Sequence, residues 1–396
     1  MNHHASIHWE ESDQACSAQW HSENGIAPHK KVVVGDDTMT ADDAYHLACG
    51  GTAILWKGDF QNARQLLQAL VRRVDKPSKK SKRADKRVAG TVTSPEKTSA
   101  DFFNLHRLSQ SQRARILGML LIQCNADNTI SLRRAPDVAK ACLEAYGPAS
   151  ESYVISLREL LGVISAHEWR KHGVPVLADA DGEAVCVHPH YGVFSPIRGE
   201  YIELVCNAPL PAALNAESIA FDIGTGTAVL SIILAMRGVQ RIMATDQDER
   251  ALACAKENID RLALSSTVEV LKANLFPDGR AALIVCNPPW LPARPSSRLE
   301  HAIYDQDSQM LKGFLNSLKA HLLPGGEGWL ILSDLAEHLG LRTQESLQEW
   351  IKQAGLMVLD RTDIKPRHKK VFDENDMLHA ARSAEVTSLW RLRAQP

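Results

Sequence analysis

From Ile219 onward short apolar runs alternate with segments of helical period. IAFDI, RIMAT, VEVL, ALIVC and GWLIL are unbroken enough to be strands buried on both faces. VLSIILAMRG, DERALACAKENIDRL and SQMLKGFLNSLKAHL place their apolar residues three and four apart. Strand-helix alternation of this kind predicts a doubly wound, mostly parallel sheet; a helix over 345–354 and the strands LMVLD and SLWRL would bring it to seven strands.

Upstream the pattern is weaker. TAILW reads as a strand, and FQNARQLLQALVRRV as a helix, with Phe60, Ala63, Leu66, Leu67, Leu70, Val71 and Val74 on one face. A helix near 101–114, a strand ILGMLLIQ, a turn at 125–128 and helices over 136–146 and 152–161 follow, and VPVLADADGEAVCVHPHYGVFSP turns β-like. The expected division is a flexible tail over 1–45, a smaller N-terminal α/β domain over 46–185 that contains a basic loop at 72–100, and the large sheet over 186–396.

Composition narrows the class. At 396 residues, 44% hydrophobic and 23% charged, the chain has apolar material for more than one core, which excludes global disorder and a membrane-embedded body. Lys plus Arg number 45 against 47 Asp plus Glu, so a net −2 supplies no whole-molecule field toward nucleic acid. Arg72–Arg87 is the local exception, with nine basic and two acidic residues; it reads as an RNA-phosphate contact or as a solvated tether. Eight singly placed cysteines, no C-x-x-C pair and no apolar leader suggest a reducing, cytoplasmic setting without structural zinc. His167 and His172 are five apart, off one helix face, and His188 with His190 lacks a third ligand, so no metal is expected.

Two strand ends carry chemistry. Asp222-Ile223-Gly224-Thr225-Gly226-Thr227 joins the first strand of the large sheet to its first helix, where glycines let a ligand lie against bare backbone. Val229 stands where a dinucleotide fingerprint wants a small residue, and Asp246, about 20 residues on, can accept from both hydroxyls of a ribose. A nucleoside without pyrophosphate fits both facts. After ALIVC comes Asn287-Pro288-Pro289-Trp290, a rigid edge in which the Asn287 oxygen and the Pro288 carbonyl converge on one spot. Such a pair would hold both hydrogens of a planar amino group and turn its lone pair outward, with Trp290 as a stacking face.

Together DIGTGT, the acidic strand end and NPPW resemble the class I S-adenosylmethionine-dependent methyltransferases, in particular the Asn-Pro-Pro-aromatic group acting on planar nitrogens; the likeness spans about 191–390. It implies a Rossmann-like methyltransferase sheet with S-adenosyl-L-methionine as cofactor. Asp222, Gly224, Thr225, Gly226, Thr227 and Ala228 would serve the methionine moiety, Asp246 the ribose, Asn274 the adenine, and Asn287 with Pro288, Pro289 and Trp290 the target nitrogen, Asn287 counting among the cofactor-binding residues as well. Ala228 replaces the usual third glycine and Asn274 a frequent aspartate. The implied step is an in-line displacement that rests on alignment and needs no metal or strong base.

For the acceptor, GVFS and ANLF resemble the ribosomal RNA guanine-N2 enzymes, whereas SPIRGEYIELV, with Arg198 and Glu200, resembles the glutamine methyltransferases of release factors and ribosomal proteins. The sequence reading places a base in ribosomal or transfer RNA first and a glutamine amide of a translation protein second. A non-catalytic RNA-binding module with a degenerate methyltransferase fold is the third reading.

Overall fold

The structure, a computed structural model, describes residues 5–76, 98–178, 181–196, 199–295, 299–367, 369–374 and 376–396. Its chain contacts separate two compact units, with the break between His167 and Glu168.

The first unit contains strands β1 (Ser6–Glu11), β2 (Gln14–Trp20), β3 (Val32–Gly35), β4 (Ala53–Trp56), β5 (Leu120–Cys124) and β6 (Tyr153–Ser156) in the sheet order β1-β2-β6-β5-β4-β3. Its helices are α1 (Ala41–Cys49), α2 (Phe60–Val74), α3 (Ser99–Leu117), α4 (Ala139–Tyr146) and α5 (Leu157–His172), the last crossing the break. The predicted face of α2 is buried at Phe60, Ala63, Leu66, Leu67 and Leu70, and Asp59 caps the helix by accepting from Gln61 N at 2.9 Å.

Two expectations fail here. The first 45 residues are not a tail: they supply three strands and a helix, and Ile7, Trp9 and Trp20 join the buried core. β1 and β2 form an antiparallel hairpin around Ser12 and Asp13, both at positive φ, a two-residue turn usually announced by Asn or Gly. The predicted helix over 152–161 instead begins as strand β6, because Tyr153, Val154 and Ile155 are buried in the sheet, and the helix starts at Leu157.

The second unit opens with a two-stranded ribbon, β7 (Val174–Ala178) and β8 (Ala184–Val187), then α6 (Glu200–Asn207). The doubly wound segment follows: β9 (Ala220–Ile223), α7 (Val229–Met236), β10 (Ile242–Asp246), α8 (Glu249–Arg261), β11 (Val268–Lys272), β12 (Ala281–Cys286), α9 (Gln309–His321), β13 (Leu322–Ser333), α10 (Leu335–His338), α11 (Gln344–Gln353), β14 (Leu356–Ile364), α12 (His379–Ala384) and β15 (Thr387–Ala394). The seven strands lie in the order β11-β10-β9-β12-β13-β15-β14, parallel except for β15.

Alternation explains how both faces are filled. Leu283 and Val285 of β12 join the core packed on α6 and α7, while Ile284 and Cys286 join the opposite core with Phe314, Leu315 and Leu318 of α9. The expected α/β class and the seven-stranded sheet are therefore present, with the unit boundary at 167/168 rather than 185/186. All eight cysteines are free; Cys124, Cys142, Cys254 and Cys286 are buried and Cys49 is exposed. Burial pushes the Cys124 and Cys254 thiols up to about 12. Among the described residues no helix is long and apolar enough to cross a membrane.

Candidate cofactor and acceptor site

In a doubly wound sheet a ligand crevice opens at the carboxyl edge where the strand order reverses, here between β9 and β12. Ile223 pairs with Thr245 on one side and Cys286 on the other, so Gly224, Asp246 and Asn287 all leave the sheet from neighbouring rungs. The two predicted motifs and the acidic strand end thus meet on one edge.

Asp222 anchors the loop from below. It is fully buried, and its Oδ2 accepts from Thr225 Oγ1 at 2.7 Å, Ser231 Oγ at 2.6 Å and Ser231 N at 3.1 Å. Its Oδ1 is buried without a partner among the described residues. Burial raises its pKa, against the pull of the Ser231 and Thr225 hydrogen bonds. Above it Gly224 and Gly226 adopt φ of +72° and +56°, and nothing lies within 4 Å of where a Gly226 Cβ would stand, so the loop presents bare backbone. A Cβ on Gly224 would lie 2.6 Å from the Met310 methyl at the start of α9. Ala228 takes φ +65°, the conformation expected of the glycine it replaces.

Asp246 is fixed by backbone: its Oδ2 accepts from Gly226 N at 3.1 Å and its Oδ1 from Asp248 N at 3.0 Å. Each oxygen retains a lone pair, so the carboxylate can still receive two hydroxyls. Burial raises its pKa. Asn274 lies exposed in the turn after β11, which is tied to β10 by Ala273 N donating to Asp246 O at 3.2 Å. This set fits a nucleoside with an amino-acid tail: bare backbone, an orphaned buried carboxylate oxygen and an aspartate with free lone pairs. S-adenosylmethionine meets that description.

The Asn-Pro-Pro-Trp turn differs from expectation in one respect. Trp290 Nε1 donates to Asn287 Oδ1 at 2.9 Å, so one lobe of the acceptor is used inside the motif. Trp290 is partly buried against both cores rather than standing out as a stacking face. Pro288 is buried and fixes the turn. Downstream, Asp305 accepts from Met310 N and Leu311 N at 3.0 and 3.1 Å and so anchors α9 and Met310 beside the loop; burial raises its pKa.

Sequence reasoning missed Asn258, which is fully buried on α8. Its Nδ2 donates to Thr227 O at 3.1 Å, and its Oδ1 accepts from His188 N at 2.8 Å, linking the loop to the segment after β8. The signal was present, since Asn258 occupies an apolar-face position with Ala251, Cys254 and Ala255. Also missed was Tyr201, buried on α6 and close enough to Asp222 and Glu200 for both carboxylates to add to the upward pKa push of its burial.

The histidines serve packing. His188 Nδ1 pairs with Arg170 O at 2.6 Å and His190 Nε2 with Glu257 at 2.7 Å. Among the described residues no three His, Cys, Asp or Glu side chains cluster as metal ligands. Of the basic run, Arg73 pairs with Asp42 at 2.8 Å, while Lys79, Lys80, Lys82, Arg83, Lys86 and Arg87 lie outside the described residues, as does Arg198.

Comparison with known proteins agrees with this reading. Residues 204–292 match the family described as ribosomal protein L11 methyltransferase (PrmA). A ribosomal protein L11 methyltransferase of Alkaliphilus metalliredigens is 29% identical over 140 residues, covering 31% of this chain and 43% of the relative. One from Pelotomaculum thermopropionicum is 28% identical over 180 residues, covering 41% and 56%. The chain thus spans about half the length of these relatives or less. A solved ribosomal protein L11 methylase from Lactobacillus delbrueckii subsp. bulgaricus is similar over 45% of this chain and 71% of its own, at 17% identity and a TM-score of 0.32. The matched span, which includes the 224–228 loop and the Asn-Pro-Pro-Trp strand end, is similar to the ribosomal protein L11 methyltransferases.

Proposed function

We propose that this chain is an S-adenosylmethionine-dependent methyltransferase whose acceptor is a nitrogen on a protein of the translation machinery. The observation that carries the enzyme reading is the meeting of the 224–228 backbone loop, the orphaned Asp222 oxygen and Asp246 at the switch point of the sheet. The bound cofactor supplies an electrophilic methyl group. The chain's own part is to hold the loop open, to receive the ribose on Asp246, to turn the acceptor nitrogen with the remaining lone pair of Asn287 and the Pro288 carbonyl, and to exclude water.

The sequence reading ranked RNA ahead of protein. The order is reversed here because the matched relatives are named as methyltransferases of a ribosomal protein. Asn287 and its prolines suit an amide nitrogen, so a glutamine side chain is the acceptor proposed.

Calorimetry with S-adenosylmethionine tests the first half. Binding is expected in the wild type, weakened about tenfold or more in Asp246→Ala through loss of charged hydrogen bonds. A wild type that does not bind sinks the enzyme reading. Tritiated cofactor incubated with protein and with total RNA from cells lacking the gene tests the second half, and label confined to RNA would reverse the order again.

A further inference from the structure

The connection between β14 and β15, residues 365–386, has a built cavity that the cofactor site does not use. β14 runs parallel to β13, so this connection leaves the sheet on the same edge as the 224–228 loop and Asn287. It is fastened at both ends. Arg367 N donates to Glu200 Oε1 at 2.9 Å, and Val386 N donates to Asp334 Oδ1 at 2.7 Å. Among the described residues, Lys365, Pro366, Arg367, Val371, Phe372, Ser383 and Glu385 line a half-open cavity of about 300 Å³. That volume is at the small end for ligand sites, enough for a side chain or two of an extended segment.

The walls have a direction. Phe372, in the lining, is 71% exposed and offers an aromatic face. Lys365 is exposed and has no ion-pair partner among the described residues, while Arg367 is only loosely paired, at 3.5 Å from Glu203. Glu385 is buried at the opposite wall, its Oε1 accepting from Ser333 Oγ at 2.7 Å. Behind Arg367 stands Glu200, 6% exposed, with Oε2 buried and unpartnered among the described residues.

We propose that this cavity is the subsite that seats the chain segment presenting the methyl acceptor. That segment is a polypeptide with an acidic side chain against Lys365 and Arg367 and an apolar contact on Phe372. The inference rests on the protein-methyltransferase reading and adds the chemistry that selects the substrate.

The test uses the full chain, tritiated S-adenosylmethionine, and protein and RNA fractions from cells lacking the gene. Lys365→Glu is expected to raise the half-saturating concentration of the protein fraction at least tenfold. The maximal rate and the calorimetric cofactor affinity should stay within twofold of wild type. Lys365→Arg should behave as wild type, and Phe372→Ala should raise half-saturation about threefold. Saturation of Lys365→Glu at the wild-type concentration overturns the proposal, as does label in RNA alone or in neither fraction. If the wild type binds no cofactor, the methyltransferase reading itself has failed, and calorimetry tells that case apart.

Discussion

Ala228 and Asn287 show how much a single position can carry. At φ +65° an alanine bears about 1–2 kcal/mol of left-handed strain, which Ala228→Gly would relieve. Glycine gives back about 0.5–1 kcal/mol through backbone entropy and roughly 0.8 kcal/mol through the lost buried methyl. The terms nearly cancel, so calorimetric melting should shift by less than about 3 °C; a rise beyond about 5 °C would mean the alanine strains the loop. With Asn287 in its proposed role of holding the acceptor nitrogen, Asn287→Ala should lower the rate of methyl transfer about a hundredfold or more with cofactor affinity within twofold. Retained turnover would make the turn purely architectural. The positions of both residues were legible in sequence because glycine spacing and paired prolines are read locally. The Trp290 hydrogen bond to Asn287 was not, because an indole N–H three residues on can point in or out with equal covalent ease.

Among elements, the strands of the large sheet were the easiest to read, since burial on both faces leaves an unbroken apolar run such as AALIVC in β12. β1 and β2 were the hardest. Their core residues Ile7 and Trp9 alternate with His and Glu on a half-solvated face, and the turn between them lacks the usual glycine. Helix α8 shows what surface pattern cannot tell. Its Glu257 gathers Arg261, His190 and Arg170, and although burial pushes its carboxyl up, those hydrogen bonds outweigh it and leave the pKa at about 2. A carboxyl depressed in the fold stabilises at pH above its unfolded value of about 4.5 and loses that contribution as pH falls toward about 2. The denaturation midpoint of the wild type should therefore drop across that window, and Glu257→Gln should flatten the slope; an unaltered slope would place the acid sensitivity elsewhere.

For the whole molecule, length predicted two bodies but not where they divide. The boundary fell 18 residues early, inside a helix that runs to His172 where the sequence reading ended it at 161, and helical period carries no mark of a change in packing partner. Each unit has its own core, around Ile7, Leu55 and Leu121 in one and around Ile232, Val285 and Trp329 in the other. Two melting transitions are expected, and S-adenosylmethionine at a hundred times its Kd should add ~2.7 kcal/mol to the second unit alone, raising its midpoint by roughly 5–10 °C. A shift of both transitions together would show one cooperative body. The cysteines supply a readout for this. Cys124 and Cys142 are sealed in one unit, Cys254 and Cys286 in the other, and none of the four offers a thiolate to reagent while its unit is closed. A timed pulse of iodoacetamide, followed by peptide mass, would clock the opening of each unit separately within the intact chain, with exposed Cys49 marking full reaction from the start.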